Sequence, residues 1–582
     1  MKRMVSLLLA ITFLVSLAKP SFARNLLSFS CSKVTEIPQS ECEALTVLYN
    51  STNGTGWTNS TNWLVTNTPG DWFGVTVFMG HVSKIDLFLN HLTGNIPTEL
   101  GNLSNLKYLW LDINQLTGSI PLTLGSLSNL QSLFLDNNQL TGSIPPELGY
   151  LTGLKYLRLH CNQLTGSIPP ELGNLSNLQQ LWLGSNQLTG SIPFQLGSLA
   201  NLEMLYLYGN HLTGSIPPVL GSLSGLTWLD LGFNQLSGSI PPELGKLSNL
   251  NTLTLFENQL TGSIPPELGS LSYLKEFSLS FNQLTGNIPS ALWGLSNLVV
   301  LDLYHNQLTG SIPAELGSQS TLQQLWLGFN QLTGSIPPNL GRLSNLEDLL
   351  IDGNQLTGSI PPELGNLSNL KRLWLGGNQL TGSIPFQLGS LANLEMLHLD
   401  GNQLTGNIPL ELSNLSNLRS LSLSYNHLTG GIPPELGYLS NLSELSLDNN
   451  QLTGIIPPEL GNLSNLVGLR LYNNPLVGNI PSQLGNLSNL QYLILGDSQL
   501  TGSIPPQLGN LSNLVMLYLT NSQLAGSIPL SFTNLVNLDY FFFNDTNLCE
   551  PTDPAFLVWK ATITEWQGTG YCVFIHLPII VR

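Results

Sequence analysis

Charged side chains are scarce in this sequence, and most of the charge has one sign. Asp, Glu, Lys and Arg make up 9% of its 582 residues, against about a quarter in ordinary soluble domains. Acidic residues outnumber basic ones by 35 to 18, which gives a formal net charge of −17. Because nucleic acids and anionic membranes attract basic surfaces, the composition argues against both as partners.

The sequence also lacks the patterns of metal and phosphate chemistry. Its eight His residues are scattered, no His/Cys cluster has the spacing of metal ligands, and no stretch has the form of a phosphate-binding loop. Asp112 and Asp136, with His160 one strand further, could serve a retaining glycosidase if they met in a pocket. Since we expect them on an open face, we predict no catalytic residue, no metal, no cofactor and no enzymatic activity.

Long apolar runs are absent after residue 23, because no later segment has 18 apolar residues in a row. We therefore predict no membrane-spanning helix in this chain. Residues 1–23 combine a basic start, an apolar run over 5–18 and small residues at Ser21 and Ala23, which is typical of a secretory signal peptide. An N-terminal membrane anchor is the alternative. The prediction is a secreted or cell-surface-associated extracellular protein.

Cysteines are few and lie mostly near the chain ends. Two precede the repeats described below and two follow them, so Cys31–Cys42 and Cys549–Cys572 are the predicted disulfides. Cys161 is left over, either as an unpaired surface thiol or as a reactive or intermolecular one.

A repeat dominates the rest of the sequence. The stretch "LWLDINQLTGSIP" (109–121) returns with few changes every 24 residues, in twenty copies that start at positions 82 to 538, the last one truncated; we number them coils 1 to 20. Leu109 and Leu111 alternate with polar or variable residues, which predicts a strand with one buried face. Gly118 suits a turn with unusual backbone angles, and Pro121 suits the start of a short helical turn.

One asparagine per copy is predicted to tie neighbouring coils together. The column begins with Asn90, Asn114, Asn138, Asn162 and Asn186 and continues to Asn474. A buried side-chain amide needs hydrogen-bond partners, and the adjacent turns supply them. The column then changes to Ser498, Ser522 and Thr546, whose shorter side chains predict a weaker ladder in the last three coils.

The pattern L-x-x-L-x-L-x-x-N-x-L-T-G-x-I-P resembles the plant-type subfamily of extracellular leucine-rich repeat proteins. This resemblance implies an α/β-type solenoid, a leucine-rich repeat superhelix with a parallel concave β-sheet and short 3-10 helices and turns on the convex side. It also implies the division into a signal peptide (1–23), an N-terminal cap (24–81), the array (82–548) and a C-terminal cap with its tail (549–582).

Both caps have sequence signatures. Ser40 and Glu43 have the spacing of a capping box that opens a helix, and Trp57, Trp63 and Trp72 are suited to covering the first coil. This region resembles the N-terminal caps of plant-like leucine-rich repeat proteins, which are also found in bacteria and algae. At the other end a closing helix is predicted from about Asp553.

The letters that vary between copies lie on the predicted concave strand face, and aromatic ones are dense in its N-terminal half. Aromatic side chains that add nothing to the core are typical of binding surfaces. The alternative is that aromatics merely suit strands, and that a block duplication copied 181–205 to 373–397 and with it Trp182 to Trp374. The candidate ligand-binding residues are Tyr108, Trp110, Asp112, Phe134, Tyr156, Arg158, Trp182, Tyr206, Tyr208, Trp228 and Phe256.

These observations predict a secreted, non-enzymatic recognition protein that binds a protein, peptide or glycan on its concave face. One alternative is an ectodomain-like subunit of a receptor complex, which would need a membrane-anchored co-receptor. Another is a structural protein that binds ice or an ordered surface through the repeated rows of Thr117 and Ser119. Twelve Asn-x-Ser/Thr sequons predict a glycoprotein in a glycosylating cell: Asn50, Asn53, Asn59, Asn102, Asn174, Asn366, Asn414, Asn441, Asn462, Asn486, Asn510 and Asn544.

Overall fold

A computed structural model describes residues 29–568 and residue 570 as a solenoid of stacked coils. The predicted signal peptide (1–23) lies outside the described residues. Each coil contributes a strand, a turn and a short 3-10 helix. The predicted fold class is confirmed, because a long parallel sheet lines one side and 3-10 helices line the other.

The concave side is a single sheet of 22 strands. Successive strands pair in parallel and in register, as Leu109 does with Leu133, while the first two strands are antiparallel. The strands are Val75–Phe78, His81–Asp86, Tyr108–Trp110, Ser132–Phe134, Tyr156–Arg158, Gln180–Trp182, Met204–Tyr206, Trp228–Asp230, Thr252–Thr254, Glu276–Ser278, Val300–Asp302, Gln324–Trp326, Asp348–Leu350, Arg372–Trp374, Met396–His398, Ser420–Ser422, Glu444–Ser446, Gly468–Arg470, Tyr492–Ile494, Met516–Tyr518, Tyr540–Phe542 and Glu565–Gln567.

A second set of short parallel strands follows the turn in many coils, and in others a single bridge such as Ser119 with Thr141 takes its place. Gly118, directly after the strand Gln115–Thr117, lies in the left-handed region, as predicted. The strands are Thr93–Asn95, Gln115–Thr117, Ser237–Ser239, Gln259–Thr261, Thr285–Asn287, Gln307–Thr309, Thr405–Asn407, His427–Thr429, Val477–Gly478, Gln499–Gly502, Gln523–Ser527 and Asn547–Cys549.

Short 3-10 helices form the convex side. In coil 2 the helix Leu122–Ser126 follows Pro121, whose fixed φ of −65° prepares the turn. The other convex helices are Thr98–Asn102, Pro146–Tyr150, Pro170–Asn174, Phe194–Ser198, Pro218–Ser222, Pro242–Lys246, Pro266–Ser270, Ser290–Gly294, Ala314–Ser318, Pro338–Arg342, Pro362–Asn366, Phe386–Ser390, Leu410–Asn414, Pro434–Tyr438, Pro458–Asn462, Ser482–Asn486, Pro506–Asn510 and Leu530–Asn534, and the cap has Cys31–Lys33, Gly54–Gly56 and Pro69–Asp71.

The core is a continuous column of aliphatic side chains between the two sides. In coil 2 Leu109, Leu111, Leu116 and Ile120 are all buried, and the same positions are buried in coil after coil. No single coil could enclose its leucines alone, so burial depends on stacking against both neighbours.

The asparagine ladder is confirmed. Asn114 Nδ2 donates to the carbonyl oxygen of Leu87 in the previous coil, and Asn114 Oδ1 accepts from the backbone N–H groups of Asn90 and Leu92. Asn138, Asn162 and Asn186 repeat the bonds to the preceding coil. Asn90 differs, because its side chain bonds to the backbone of Asn59 and so ties coil 1 to the cap.

The ladder weakens where predicted. Ser522 and Thr546 donate only within their own coils, to the carbonyl oxygens of Leu519 and Phe543. The Ser498 hydroxyl is buried without a hydrogen-bond partner. A hydroxyl on one carbon does not reach the preceding coil, so the last coils lose these bonds.

The N-terminal cap begins differently from the prediction. Helix α1 (Gln39–Ser51) follows Pro38, and no side chain caps its first turn. Glu43 accepts a hydrogen bond from the Gln39 side chain, four residues earlier. The predicted capping box of Ser40 and Glu43 is therefore wrong, because Ser40 already lies inside the helix.

The remaining cap predictions agree with the structure. Trp57, Trp63 and Trp72 are buried together, with ring centroids 4.9 Å apart for the first pair and 5.0 Å for the second. The Cys31–Cys42 disulfide is confirmed. It fastens the segment before α1 to the helix.

The C-terminal cap contains helix α2 (Pro554–Lys560), whose first turn is capped by Asp553 as predicted. Phe556 and Trp559 on this helix are buried against the last coils. Cys549 is disulfide-bonded, but its predicted partner Cys572 lies outside the described residues. Among the residues that the structure describes, no helix has the length and apolar character of a membrane span.

Candidate ligand-binding site on the concave face

Side chains on either side of the buried strand leucine form rows along the concave face. In coil 2 Leu109 is buried, whereas Tyr108 and Trp110 are half-buried on the other side of the sheet. Parallel pairing in register places Trp110 beside Phe134 in the next strand. Equivalent side chains of successive coils are therefore about 4.8 Å apart along each row.

Six predicted site residues form two groups of three rings in contact, with a gap between Phe134 and Trp182. We call the two groups together the N-terminal aromatic row. Rings at these spacings stabilise each other by edge or offset contacts. The row consists of Tyr108, Trp110, Phe134, Trp182, Tyr206 and Tyr208, with centroid distances of 6.0 Å for Tyr108–Trp110, 5.6 Å for Trp110–Phe134, 5.6 Å for Trp182–Tyr206 and 6.0 Å for Tyr206–Tyr208.

Arg158 closes the gap in the N-terminal aromatic row. Its guanidinium carbon lies 4.5 Å from the Phe134 ring centroid and 4.8 Å from that of Trp182, and Nη2 donates to Gln180 Oε1 at 2.9 Å. A guanidinium between two ring faces gains cation–π stabilisation on both sides. The row thus already contains a cation of its own.

The acidic residues considered for catalysis do meet. Asp136 lies 3.4 Å from His160 Nε2, and burial, with a further contribution from Asp136, raises the pKa of Asp112 to about 7. Burial lowers the pKa of His160. The His160 ring also packs against Trp182 with centroids 5.1 Å apart, so the group adjoins the aromatic row.

Three further predicted residues lie apart from the row or beneath it. Tyr156 is half-buried on the strand of Arg158, and Trp228 is exposed. Phe256 packs against the Tyr208 ring at 5.8 Å and over Gly232, and 7% of its surface is exposed. The prediction that Phe256 offers an outward-facing ring is therefore wrong, because Gly232 leaves space into which the ring folds.

Indole N–H groups on this face differ in whether they have a partner. Trp110 Nε1 donates to the Ser132 hydroxyl on the next strand at 2.9 Å. The position equivalent to Ser132 is occupied by Met204 on the strand next to Trp182 and by Met396 on the strand next to Trp374. A methionine thioether is a weak hydrogen-bond acceptor. The N–H groups of Trp182 and Trp374 are buried without a hydrogen-bond partner.

A second concavity lies further along the face, outside the predicted site. It has a volume of about 370 Å³, within the range of small-ligand sites. We call it the glycine-floored pocket; its lining residues, from coils 10 to 14, are Tyr304, Phe329, Asp352, Gly353, Trp374, Gly376, Gly377, His398 and Asp400.

This pocket was not predicted from the sequence, because the candidate residues were chosen mainly for their aromatic side chains and not for positions that lack a side chain. One position before each ladder asparagine has a side chain in most coils, but it is glycine in three successive coils, at Gly353, Gly377 and Gly401. That run of glycines was the available signal.

Comparison with known families agrees with this architecture. The family model "Leucine-rich repeat region" matches residues 86–208, the two-copy leucine-rich repeat model matches 368–414 and 416–455, and the single-repeat model matches nine segments between 201 and 511. No curated protein sequence matches the chain.

Several solved structures with a similar fold are ectodomains of plant receptors. The ectodomain of the Arabidopsis thaliana receptor kinase GASSHO1/SCHENGEN3, in complex with CASPARIAN STRIP INTEGRITY FACTOR 2, is 38% identical with a TM-score of 0.79; the match covers 90% of this chain and 66% of that one. The plant peptide hormone receptor RGFR1 in complex with RGF2 is 35% identical (TM-score 0.73; 82% and 85% covered).

A third similar structure is the Arabidopsis receptor kinase HAESA in complex with the peptide hormone IDA and the co-receptor SERK1. It is 31% identical with a TM-score of 0.72, and the match covers 92% of this chain and 99% of that one. The chain is thus similar in fold to the ectodomains of plant leucine-rich repeat receptors. The chain belongs to the leucine-rich repeat family.

Proposed function

We propose that the protein is a secreted, non-enzymatic recognition protein that binds a peptide along its concave face. The observation that carries this proposal is the N-terminal aromatic row, in which rings remain half-exposed beside the unpartnered N–H of Trp182. Half-exposed aromatic surface with free donors suits a segment that brings both apolar side chains and backbone carbonyls. The similar ectodomains with peptide hormones support a peptide over a glycan.

The proposal extends to the protein's surroundings. The 24-residue period and the cap sequences support membership of the plant-type extracellular subfamily, and the signal-peptide pattern of residues 1–23 supports an extracellular location. Action together with a membrane-anchored co-receptor is supported by the similar ectodomain that was solved with the co-receptor SERK1.

Binding to an ordered surface is a second candidate function. Thr141, Thr165 and Thr189 are exposed, and backbone bridges align them in a row with Ser143 and Ser167. A straight row of hydroxyls at constant spacing could match a regular surface such as ice. This function predicts thermal hysteresis that Thr165→Tyr removes, and no dependence on the concave rings.

The primary proposal is tested by replacing two rings of the concave row. A peptide array probed with the full chain should lose most of its signal with Trp110→Ala plus Trp182→Ala, by roughly tenfold or more, because buried aromatic anchors dominate such interfaces. The matched control is Tyr150→Ala plus Phe194→Ala, which removes two exposed rings from the convex helices. Equal binding by both double variants would refute the concave site.

A further inference from the structure

Gly353 and Gly377 line the floor of the pocket, Gly401 continues the run in the next coil, and the backbone does not require glycine at any of the three. Gly353, Gly377 and Gly401 have φ of 62°, 60° and 63°. The same position is occupied by Phe329 at 51° and Tyr425 at 54°. Since non-glycine residues adopt this left-handed conformation at the same position, the run of glycines leaves a cavity where neighbouring coils have side chains.

Two carboxylates border this space. Asp352 Oδ1 lies over Gly328, where a Cβ atom would approach it to 2.6 Å, and it is buried without a hydrogen-bond partner. The Asp400 carboxylate lies over Gly376, where a Cβ would come within 3.1 Å. Side chains at Gly328 and Gly376 would displace these carboxylates, so the glycines also define their positions.

Aromatic rings form two walls of the pocket. Tyr304 and Phe329 pack against each other with centroids 5.3 Å apart, and Trp374 stacks on His398 at 5.2 Å with nearly parallel planes. Ring faces attract cations through their quadrupole, and Trp does so most strongly. The pocket therefore presents negative potential from its rings and from its carboxylates.

The lining residues include neither Lys nor Arg. The nearby Arg372 is engaged elsewhere, since its Nε and Nη2 donate to Asp348. His398 Nε2 lies 2.9 Å from the Ser420 hydroxyl, and burial lowers the pKa of His398, which favours its neutral form. Among the described residues at the pocket, its carboxylates thus have no cationic partner.

We propose that the glycine-floored pocket binds the cationic side chain, lysine or arginine, of a peptide lying on the concave face. This rests on the proposed peptide-binding function and adds the chemistry of one ligand residue. The cation would lie between the Asp352 and Asp400 carboxylates with its aliphatic stem along Trp374. The unpartnered Trp374 N–H would donate to a backbone carbonyl of the same peptide.

The charge state of the pocket is consistent with this role. Burial, with a further contribution from Asp400, raises the pKa of Asp352 to about 6. Burial and the neighbouring Asp352 also raise the pKa of Tyr304, which keeps its phenol neutral. A bound cation would relieve the cost of the Asp352 charge, so binding and ionisation favour each other.

The test uses single-residue probes and the full chain. With ¹⁵N-labelled tryptophan, the indole signal of Trp374, assigned with Trp374→Phe, is followed during titration with Nα-acetyl-lysine amide, Nα-acetyl-arginine amide and the neutral Nα-acetyl-norleucine amide. Both cationic probes should shift the signal saturably, and norleucine amide should not. Equal responses to lysine and norleucine amides would overturn the proposal.

Variants locate the charge. Asp352→Asn plus Asp400→Asn should weaken lysine amide binding by roughly tenfold or more, because charged hydrogen-bond partners are lost. Glu363→Gln is the control, since it removes an exposed convex carboxylate from the same coil as Asp352. Circular dichroism melts verify that each variant is folded. Unchanged lysine amide binding in a folded double Asn variant would refute the pocket.

The result is separable from the fate of the proposed function. If lysine amide fails to bind while Trp110→Ala plus Trp182→Ala still reduces peptide capture, the pocket assignment is wrong and the recognition function stands. If lysine amide binds in the pocket while no peptide is captured, the pocket is supported and the peptide function is wrong.

Discussion

Trp182 and Trp374 occupy equivalent places in the two copies of the duplicated block, 192 residues apart, yet their surroundings differ. Trp182 lies under the Arg158 guanidinium and beside Tyr206. Trp374 stacks on His398 and borders an open cavity. Since the copied block is nearly identical, the difference comes mainly from the flanking coils.

Many substitutions separate the two regions, and four of them bear directly on the pocket. The positions of Arg158, His160, Ser185 and Tyr208 correspond to Leu350, Asp352, Gly377 and Asp400. The N-terminal region therefore has a cation between its rings, while the later region has Leu350 at that position, carboxylates at the positions of His160 and Tyr208, and glycine at the position of Ser185. The two regions therefore share the same buried leucine positions, and their concave surfaces differ in chemistry because other residues differ.

The largest effect is expected from giving the pocket a cation of its own. Leu350 pairs with Trp374 as Arg158 pairs with Trp182, so Leu350→Arg should place a guanidinium against the Trp374 ring and near Asp352. Lysine amide binding should fall by at least about tenfold, as measured by the Trp374 indole titration. Leu350→Met is the matched control, and equal loss in both variants would show that steric disturbance alone is responsible.

Acidification should weaken the pocket more gradually. With an Asp352 pKa of about 6, the ionised fraction falls from about nine tenths at pH 7 to about one tenth at pH 5. The affinity for lysine amide should fall by up to about tenfold over this range, because the protonated carboxyl no longer attracts the cation. Calorimetric titrations at several pH values check this. A slope as steep in Asp352→Asn as in the wild type would contradict the assignment.

Removing the cation from the N-terminal aromatic row should have a smaller effect, a gain in lysine amide binding there. Arg158→Leu removes the guanidinium from between Phe134 and Trp182 and leaves Asp136 nearby. The N-terminal row should then respond to lysine amide several-fold more than the wild type does, through the Trp182 indole signal, because a cation–π site is vacated. Lys155→Leu, which changes an exposed cation three residues earlier, just before the strand, is the control. No gain for Arg158→Leu would show that the rings alone do not attract the probe.

Most of the fold could be predicted because nearly every coil repeats the same buried positions, ladder amide and turn. Buried leucines, the Asn114-type amide and the Gly118 turn have local physical causes that a 24-residue period displays many times. The capping box failed since it occurs once, and Glu43 pairs with Gln39 there. A pattern that occurs once in the sequence cannot be compared with further copies of itself.

The site was predicted less completely, for reasons that depend on three dimensions. Phe256 has the sequence position of an exposed ring, but Gly232 in the preceding coil gives it a place to fold down. The pocket is lined by residues of five coils, and its key feature is the absence of side chains at Gly353 and Gly377. Aromatic residues in the sequence indicate the walls of the pocket, but not the space that the glycines leave between them.

The most direct test of the account is a selection of random peptides for binding to the full chain, repeated with Leu350→Arg and with Trp110→Ala plus Trp182→Ala. The account predicts peptides with a Lys or Arg at a fixed distance from apolar residues, a loss of the basic preference with Leu350→Arg, and a loss of the apolar preference with the double variant. Selected peptides without a basic position, or preferences that both variants leave unchanged, would contradict it.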